Sequence, residues 1–448
     1  MKETLFGTDG IRSAAGAYPL DEASLLKLGA VIAAQGAAPR ILIARDTRES
    51  GPAIESLLAR GLGRRARISS AGVLPTPGLA FLVREHGFDF GIMVSASHNP
   101  FADNGIKLFD RRGEKASAAL EGRISREFLA RARVPLARPR RAAALLDARA
   151  YAAFLCREGR DLAPSAGAST AVPGLRLAID CANGASSHIA PELFDGLGLA
   201  AEVAHAEPDG RNINASCGST HPAALQELMA RSRAGLGLAF DGDADRVIFA
   251  DPHGRILEGD HVLFHIAHLL RRTEPRFKPV VVGTVMSNLG LERALKRAGI
   301  GFLRADVGDK HVYRLMKRSG AILGGEPSGH VILRHRQTTG DGLLTALHFL
   351  KALRFLGCDA AAAYDRLSLY PQRTLSIRVR RRPPLGEWEA FRCESARFTR
   401  QHGKEARLLA RYSGTEPKLR IMIEARDPET IAKNMPIFQH LVENEIGE

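Results

Sequence analysis

Five short runs of β-branched and aliphatic residues each end in a polar loop: ILIARD (Ile41–Asp46), FGIMVS (Phe90–Ser95), LRLAID (Leu175–Asp180), GLAFD (Gly237–Asp241) and VVVGTV (Val280–Val285). Segments of helical period separate them, over 21–35, 53–64, 76–86 and 341–356 among others. Runs that are apolar on both faces suit strands covered on both sides, and helices between them supply the crossovers that parallel strands need. This alternation repeats three times. A smaller unit follows, with LSIRVR from Leu375, a helix around 388–400, the strand KLRIMIEA (Lys418–Ala425) and a closing helix. The pattern predicts an α/β chain: three successive α/β domains with mixed, largely parallel sheets, and a small C-terminal α+β domain. The expected boundaries are 1–155, 156–255, 256–370 and 371–448. A Pro- and Arg-containing stretch over 131–141 and the polar run 162–174 read as the first connection.

Composition narrows the partners. Apolar residues make up 45% and charged residues 25%, so the chain has ample material for cores. The net charge of +14 calls for anionic partners such as nucleic acid, acidic lipid or phosphorylated metabolites. Aromatics are only 6%, and no nucleic-acid motif accompanies the basic runs 131–141 and 378–382, which read as solvated surface; no nucleic acid is expected. Five widely spaced cysteines without a CxxC pair suggest neither a disulfide framework nor a zinc site, and point to reduced thiols in the cytoplasm. No stretch reaches the ~18 apolar residues of a membrane span, and MKETLFGTDGIR has no apolar signal core.

In open α/β sheets, ligands gather at the carboxyl ends of strands, and the informative loops lie there. DGDADR (Asp241–Arg246) sets three alternating carboxylates directly after a strand, a spacing that suits a hard cation such as Mg²⁺ or, equally, a solvated acidic turn. An EF-hand is excluded because Arg246 and Pro252 occupy the positions of its glycine and last glutamate. SASHNP (Ser95–Pro100) offers Ser97 as a nucleophile or phosphoryl carrier, although Ser97 and Asn99 could also simply cap a turn, with His98 exposed. NGIKLF reads as a turn before a short strand, with Lys107 as an acid/base or a surface lysine. GGEPSGH (Gly324–His330) presents Glu326, Ser328 and His330 on a Gly-bounded loop suited to reading sugar hydroxyls, a pattern that ordinary flexible turns share. RYSGTEPKLR (Arg411–Arg420) has the hydroxyls, glycine and arginines of a phosphate cradle or of an ordinary hairpin turn. Neither a Walker A loop nor GxGxxG occurs. Together these loops point to phosphoryl transfer on a small polyhydroxylated substrate.

With GTDGIR (Gly7–Arg12), SASHNP, NGIK, DGDADR, GEPSGH and RYSGTEP in this order, the whole chain resembles the α-D-phosphohexomutase family. CANGA (Cys181–Ala185), NINASCGSTH (Asn212–His221), VGTVMSN (Val282–Asn288), VGDK (Val307–Lys310) and TTGDG (Thr338–Gly342) are similar to its phosphoglucosamine mutase branch. The resemblance implies four domains around a central cleft, a phosphorylated amino-sugar substrate, and reversible conversion of glucosamine 6-phosphate to glucosamine 1-phosphate for UDP-N-acetylglucosamine supply. It implies Ser97 as the phosphorylated carrier, with Asp241, Asp243 and Asp245 holding Mg²⁺ against it, and a sugar 1,6-bisphosphate as intermediate and activator. Glu326 and Ser328 would read sugar hydroxyls; Arg411, Ser413, Gly414, Thr415 and Arg420 would grip the non-reacting phosphate. Arg12, His98, Lys107, Arg246 and His330 would line the site, with His98 or Lys107 moving the proton. The same family includes phosphomannomutases and phosphoglucomutases, which share these loops, and it makes a homodimer reasonable. Pro327 stands where the branch usually has Gln, which removes a side-chain amide and a backbone donor.

Overall fold

Strand pairing in the computed structural model, which describes residues 5–7, 9–131, 144–163, 175–413 and 416–448, follows the apolar runs. Most of the expected 131–141 and 162–174 connection lies outside the described residues, as do Gly414 and Thr415. The first sheet contains β1 (Ile11–Ala14), β2 (Arg40–Arg45), β3 (Arg67–Val73), β4 (Phe90–Val94), β5 (Asp103–Asp110) and β6 (Ala144–Leu145), ordered β1-β5-β4-β2-β3-β6. Strand β2 runs parallel to β3 and β4, whereas β5 is antiparallel to both β1 and β4. The second sheet has β7 (Leu177–Asp180), β8 (Ala201–Ala204), β9 (Leu236–Phe240), β10 (Val247–Ala250) and β11 (Ile256–Leu257), ordered β11-β10-β9-β7-β8. The third has β12 (Val280–Thr284), β13 (Gly301–Ala305), β14 (Leu323–Gly325) and β15 (Val331–Leu333), ordered β13-β12-β14-β15. A fourth, wholly antiparallel sheet joins β16 (Gln372–Arg378), β17 (Ala406–Tyr412) and β18 (Lys418–Ala425) in the order β16-β18-β17. The mixed α/β sheets and the small last unit are those expected.

Helices begin where side chains can satisfy their first N–H groups. Asp21 accepts from Ser24 N–H ahead of the helix Glu22–Ala33, and Asp341 accepts from Leu344 N–H ahead of Gly342–Leu356. Helix Glu22–Ala33 packs on Gly51–Leu62 at two glycines: a Cβ on Gly29 would meet Leu58 O at 2.5 Å, and one on Gly61 would meet Leu26 O at 2.2 Å. Leu25, Leu28, Ile32, Ile54 and Leu58 close the core between these helices and the first sheet.

Contacts divide the chain into two compact units. Met1–Met286 with Ile300–Arg366 carries the first three sheets, and Ser287–Gly299 with Leu367–Glu448 carries the fourth. The helix Leu289–Arg297, contiguous in sequence with the third block, therefore belongs with the C-terminal unit. Leu289 N–H donates to Glu424 Oε1 at 2.7 Å, and Asn288 Nδ2 donates to Tyr370 O at 3.0 Å. The NGIKLF segment also departs from expectation: Asn104 to Lys107 lie inside β5, between β1 and β4. Gly105 serves close backbone approach rather than a turn, since a Cβ there would meet Ser95 O at 2.6 Å and Ile11 O at 2.7 Å. All five cysteines are free thiols. No helix among the described residues is long and apolar enough to cross a membrane.

Candidate active site

Strands β4 and β9 deliver the two loops that meet at the centre of the larger unit. Ser97 follows β4, is fully buried and adopts φ +52°. Its hydroxyl donates to Asp241 Oδ2 at 2.6 Å, just beyond β9, and lies 3.3 Å from His98 Nδ1. The conformation is held from behind by groups that the sequence did not single out. Arg48, 1% exposed, pairs with Asp46 at 2.9 Å and donates to the carbonyls of Ser97, Asn99, Pro100 and Asp103. Ser95 Oγ bridges Asp46 Oδ2 and the Ser97 N–H, and Asn214 Nδ2 donates to Ser97 O at 2.8 Å. Gly242 must lack a side chain, because a Cβ would meet Ser97 O at 2.6 Å.

The acidic loop is buried, not a solvated turn: Asp241, Asp243 and Asp245 expose 3% or less. One carboxylate oxygen from each lies within 4.8 Å of the others. Lys107 reaches Asp243 at 2.6 Å and Asp245 at 3.2 Å, and Thr76 Oγ1 donates to Asp243. Asp243 Oδ1 and Asp245 Oδ1 are nevertheless buried without a hydrogen-bond partner. Burial, followed by the neighbouring Asp245 and Asp243 carboxylates, pushes the Asp241 carboxyl up to about 8. Clustered carboxylates with orphaned oxygens fit a hard divalent cation, whose charge would offset this repulsion.

Beside this cluster a cavity of about 470 Å³ is lined by Arg12, His98, Asp245, Arg246, Glu326 and His330, together with Asp9, Lys115 and Asp309. Glu326 Oε1 accepts from Gly308 N–H at 2.9 Å. His330 lies 3.5 Å from Asp245 through Nδ1, while its Nε2 accepts from Gly340 N–H at 3.0 Å. Lys115 bridges Asp9 at 2.8 Å and Asp309 at 2.5 Å. Burial lowers the Lys107 ammonium's hold on its proton, but Asp243, Asp245 and Asp9 outweigh it and keep the group charged well above the ordinary lysine range. His98 is the converse: burial, then Arg246 and Arg12, pull it down to about 4, so its ring is neutral. Ser328 is exposed, on the turn between β14 and β15, and does not line the cavity.

In the C-terminal unit, β17 and β18 set Arg411 directly opposite Arg420. Like charges at facing positions repel, which leaves the pair suited to an anion between them. Arg420 Nε is buried without a partner, and Glu416 partly compensates Arg420 at 3.5 Å. Ser413 closes the turn, donating its N–H to Lys418 O and accepting Glu416 N–H on Oγ. Gly414 and Thr415, the rest of the expected cradle, lie outside the described residues.

Comparison with known proteins matches the chain to four successive family models. These are the phosphoglucomutase/phosphomannomutase alpha/beta/alpha domains I, II and III over residues 3–134, 160–254 and 258–370, and the C-terminal domain over 378–436. A phosphoglucosamine mutase from Solibacter usitatus is 43% identical, with 100% of each chain covered. A phosphoglucomutase/phosphomannomutase family protein from Burkholderia thailandensis has a solved structure with TM-score 0.79, 22% identity and 99% of both chains covered. An Aspergillus fumigatus N-acetylphosphoglucosamine mutase, solved with GlcNAc-6P and magnesium, has TM-score 0.64 at 18% identity, with 96% of this chain and 93% of that one covered. With its four phosphohexomutase domains, the chain belongs to the phosphoglucosamine mutase family.

Proposed function

We propose that the protein reversibly converts glucosamine 6-phosphate to glucosamine 1-phosphate, with Ser97 carrying the phosphoryl group and a sugar 1,6-bisphosphate as intermediate and activator. The observation that carries this reading is the buried Ser97 hydroxyl, 2.6 Å from Asp241 at the edge of a carboxylate cluster with two orphaned oxygens. Asp241, Asp243 and Asp245 would hold Mg²⁺, which when bound supplies charge neutralisation at the phosphoryl oxygens. Cations of the chain itself line the same cavity: Arg12 and Arg246 are set to steady the transferring group.

For the proton of the attacking sugar hydroxyl, neutral His98 is the available acceptor. Lys107 is committed as an ammonium to Asp243 and Asp245, where it fixes the carboxylates. Glu326, anchored by Gly308, and His330 would meet sugar hydroxyls from the cavity wall, and exposed Ser328 would join them only from the turn. The facing Arg411 and Arg420, with Ser413, Gly414 and Thr415, are the proposed grip for the phosphate that is not reacting. That grip must accept either end of the bisphosphate as it reorients.

The test is ³¹P NMR of the Mg²⁺-loaded protein with a trace of glucose 1,6-bisphosphate, comparing glucosamine 6-phosphate, glucose 6-phosphate and mannose 6-phosphate. Selective conversion of the amino sugar is expected. Preference for glucose or mannose would keep the mechanism and move the substrate, whereas no conversion by phosphorylated, folded protein would overturn the mutase reading.

A further inference from the structure

At the carboxyl end of β7, a second group of metal-ligating side chains lies away from the acidic loop. Asp180 is the last residue of β7, His205 immediately follows the parallel strand β8, and Cys217 lies in the loop that leads from β8 into the helix Pro222–Ser232. One ligand atom of each lies within 4.8 Å of the others. Asp180 and Cys217 are fully buried, and the His205 side chain is 37% exposed. The carboxylate is fixed before any cation arrives: Ala182 N–H donates to Oδ1 at 2.9 Å and Gly218 N–H to Oδ2 at 2.7 Å. His205 turns back at φ +50° so that Nδ1 sits 3.0 Å from Asp180 Oδ1.

The donor set distinguishes this group from the acidic loop. Carboxylate, imidazole and thiol together suit a borderline cation of the Zn²⁺ type, whereas the oxygen-only triad suits Mg²⁺. Two buried ligands beneath a partly exposed imidazole give an entry path and leave a position for water, as open three-ligand sites do. The backbone donors on Asp180 are the outer support that orients a metal ligand. Its neighbours give the site a role. Asn214, from the same loop as Cys217, donates its N–H to Ala182 O at 2.9 Å and its side chain to Ser97 O at 2.8 Å. Ala185 N–H donates to Gly242 O, and Ser219 N–H to Phe240 O.

We propose that Asp180, His205 and Cys217 form a second metal site, for Zn²⁺ or a cation of the same class, that clamps together the two loops backing the reacting serine. On binding, the Cys217 thiol gives its proton to solvent, and His205 turns its Nδ1 lone pair to the cation while its remaining proton resides on Nε2.

The test is a Co²⁺ titration of the full-length protein with the acidic loop saturated by Mg²⁺, read by absorption spectroscopy. A single Co²⁺ per chain with a thiolate-to-cobalt charge-transfer band, displaced by Zn²⁺, is expected. Cys217→Ser should lose the band, and His205→Ala should weaken binding at least about tenfold. Absence of the band in the wild-type protein, or its persistence at full strength in Cys217→Ser, would overturn the proposal. Should Cys217→Ser not fold, the more exposed His205→Ala decides, and unchanged Co²⁺ affinity there counts against the site.

Discussion

Replacing Arg48 with methionine would remove the guanidinium that pairs with Asp46 and collects the carbonyls of Ser97, Asn99, Pro100 and Asp103. Methionine fills much of the same volume, so the cost is mainly electrostatic. Asp46 is fully buried and would be left with the hydroxyl of Ser95 and the backbone N–H of residue 48 as its donors. Breaking one side of a buried, hydrogen-bonded ion pair costs about 3–5 kcal/mol, because the stranded charge must be neutralised or re-solvated. Asn214 still holds the carbonyls of Ser97 and Asn99, which argues for local loosening rather than loss of the fold. The single tryptophan, Trp388, is a core residue of the C-terminal unit, so its fluorescence would miss the event. Hydrogen exchange over residues 95–104 is the direct assay. Protection there should fall by roughly 10²- to 10⁴-fold, with the C-terminal unit unchanged. Adding Asp46→Asn to Arg48→Met should recover part of that protection, since no charge is then stranded. Turnover should drop in both variants, because Ser97 loses its fixed backbone. Protection within tenfold of wild type in Arg48→Met would refute the claim that this pair holds the serine loop.

Ser97→Ala should abolish turnover and phosphoprotein labelling, and near-normal turnover would remove Ser97 as the obligatory carrier. Asp243→Ala should lower Mg²⁺ affinity and kcat together by calorimetry and coupled assay; unchanged values would detach the triad from the cation. Arg420→Met should raise KM for sugar phosphates while leaving the C-terminal unit equally stable or up to about 1 kcal/mol more stable, because it relieves the repulsion with Arg411. Acid should destabilise the larger unit: burial lowers His261 and His265 to about 4, so the unfolded chain binds more protons below its ordinary histidine value. Stability is then complete above about pH 6.5 and falls as the pH drops towards 4, by up to about 3 kcal/mol per histidine. A flat profile across that window in thermal unfolding would contradict their burial as neutral rings.

The residues legible in the sequence were those whose chemistry is written locally. A strand running into alternating carboxylates announces Asp241, Asp243 and Asp245, and an apolar run ending in SASHNP announces Ser97. Lys107 was harder to read, because Asn-Gly ordinarily signals a turn. Here the closeness of Ser95 and Ile11 to Gly105 explains the glycine, and pairing on both sides makes a strand. Arg48 gave no signal, since an arginine in a polar loop reads as surface; its burial comes from carbonyls about fifty residues away in the chain. The Asp9, Lys115 and Asp309 relay spans residues from both ends of the larger unit, and no spacing rule joins them. The Asp180, His205 and Cys217 group escapes cysteine arithmetic for the same reason, because neighbouring strand ends assemble it.

The divided C-terminal unit also carries a consequence for biosynthesis. Helix Leu289–Arg297 leaves the ribosome before all of Ile300–Arg366, yet its hydrogen-bond partners in the C-terminal unit, Tyr370, Lys404 and Glu424, are made later still. At ~5–20 residues per second Glu424 follows Arg297 by roughly 6–25 s, and until then the Leu289 N–H lacks its carboxylate acceptor. During that interval the first turn of the helix lacks one of the acceptors for its unpaired N–H groups, so this end is the one expected to fray. Premature termination before Glu424 would leave that helix end permanently without its carboxylate, even when the larger unit has already folded.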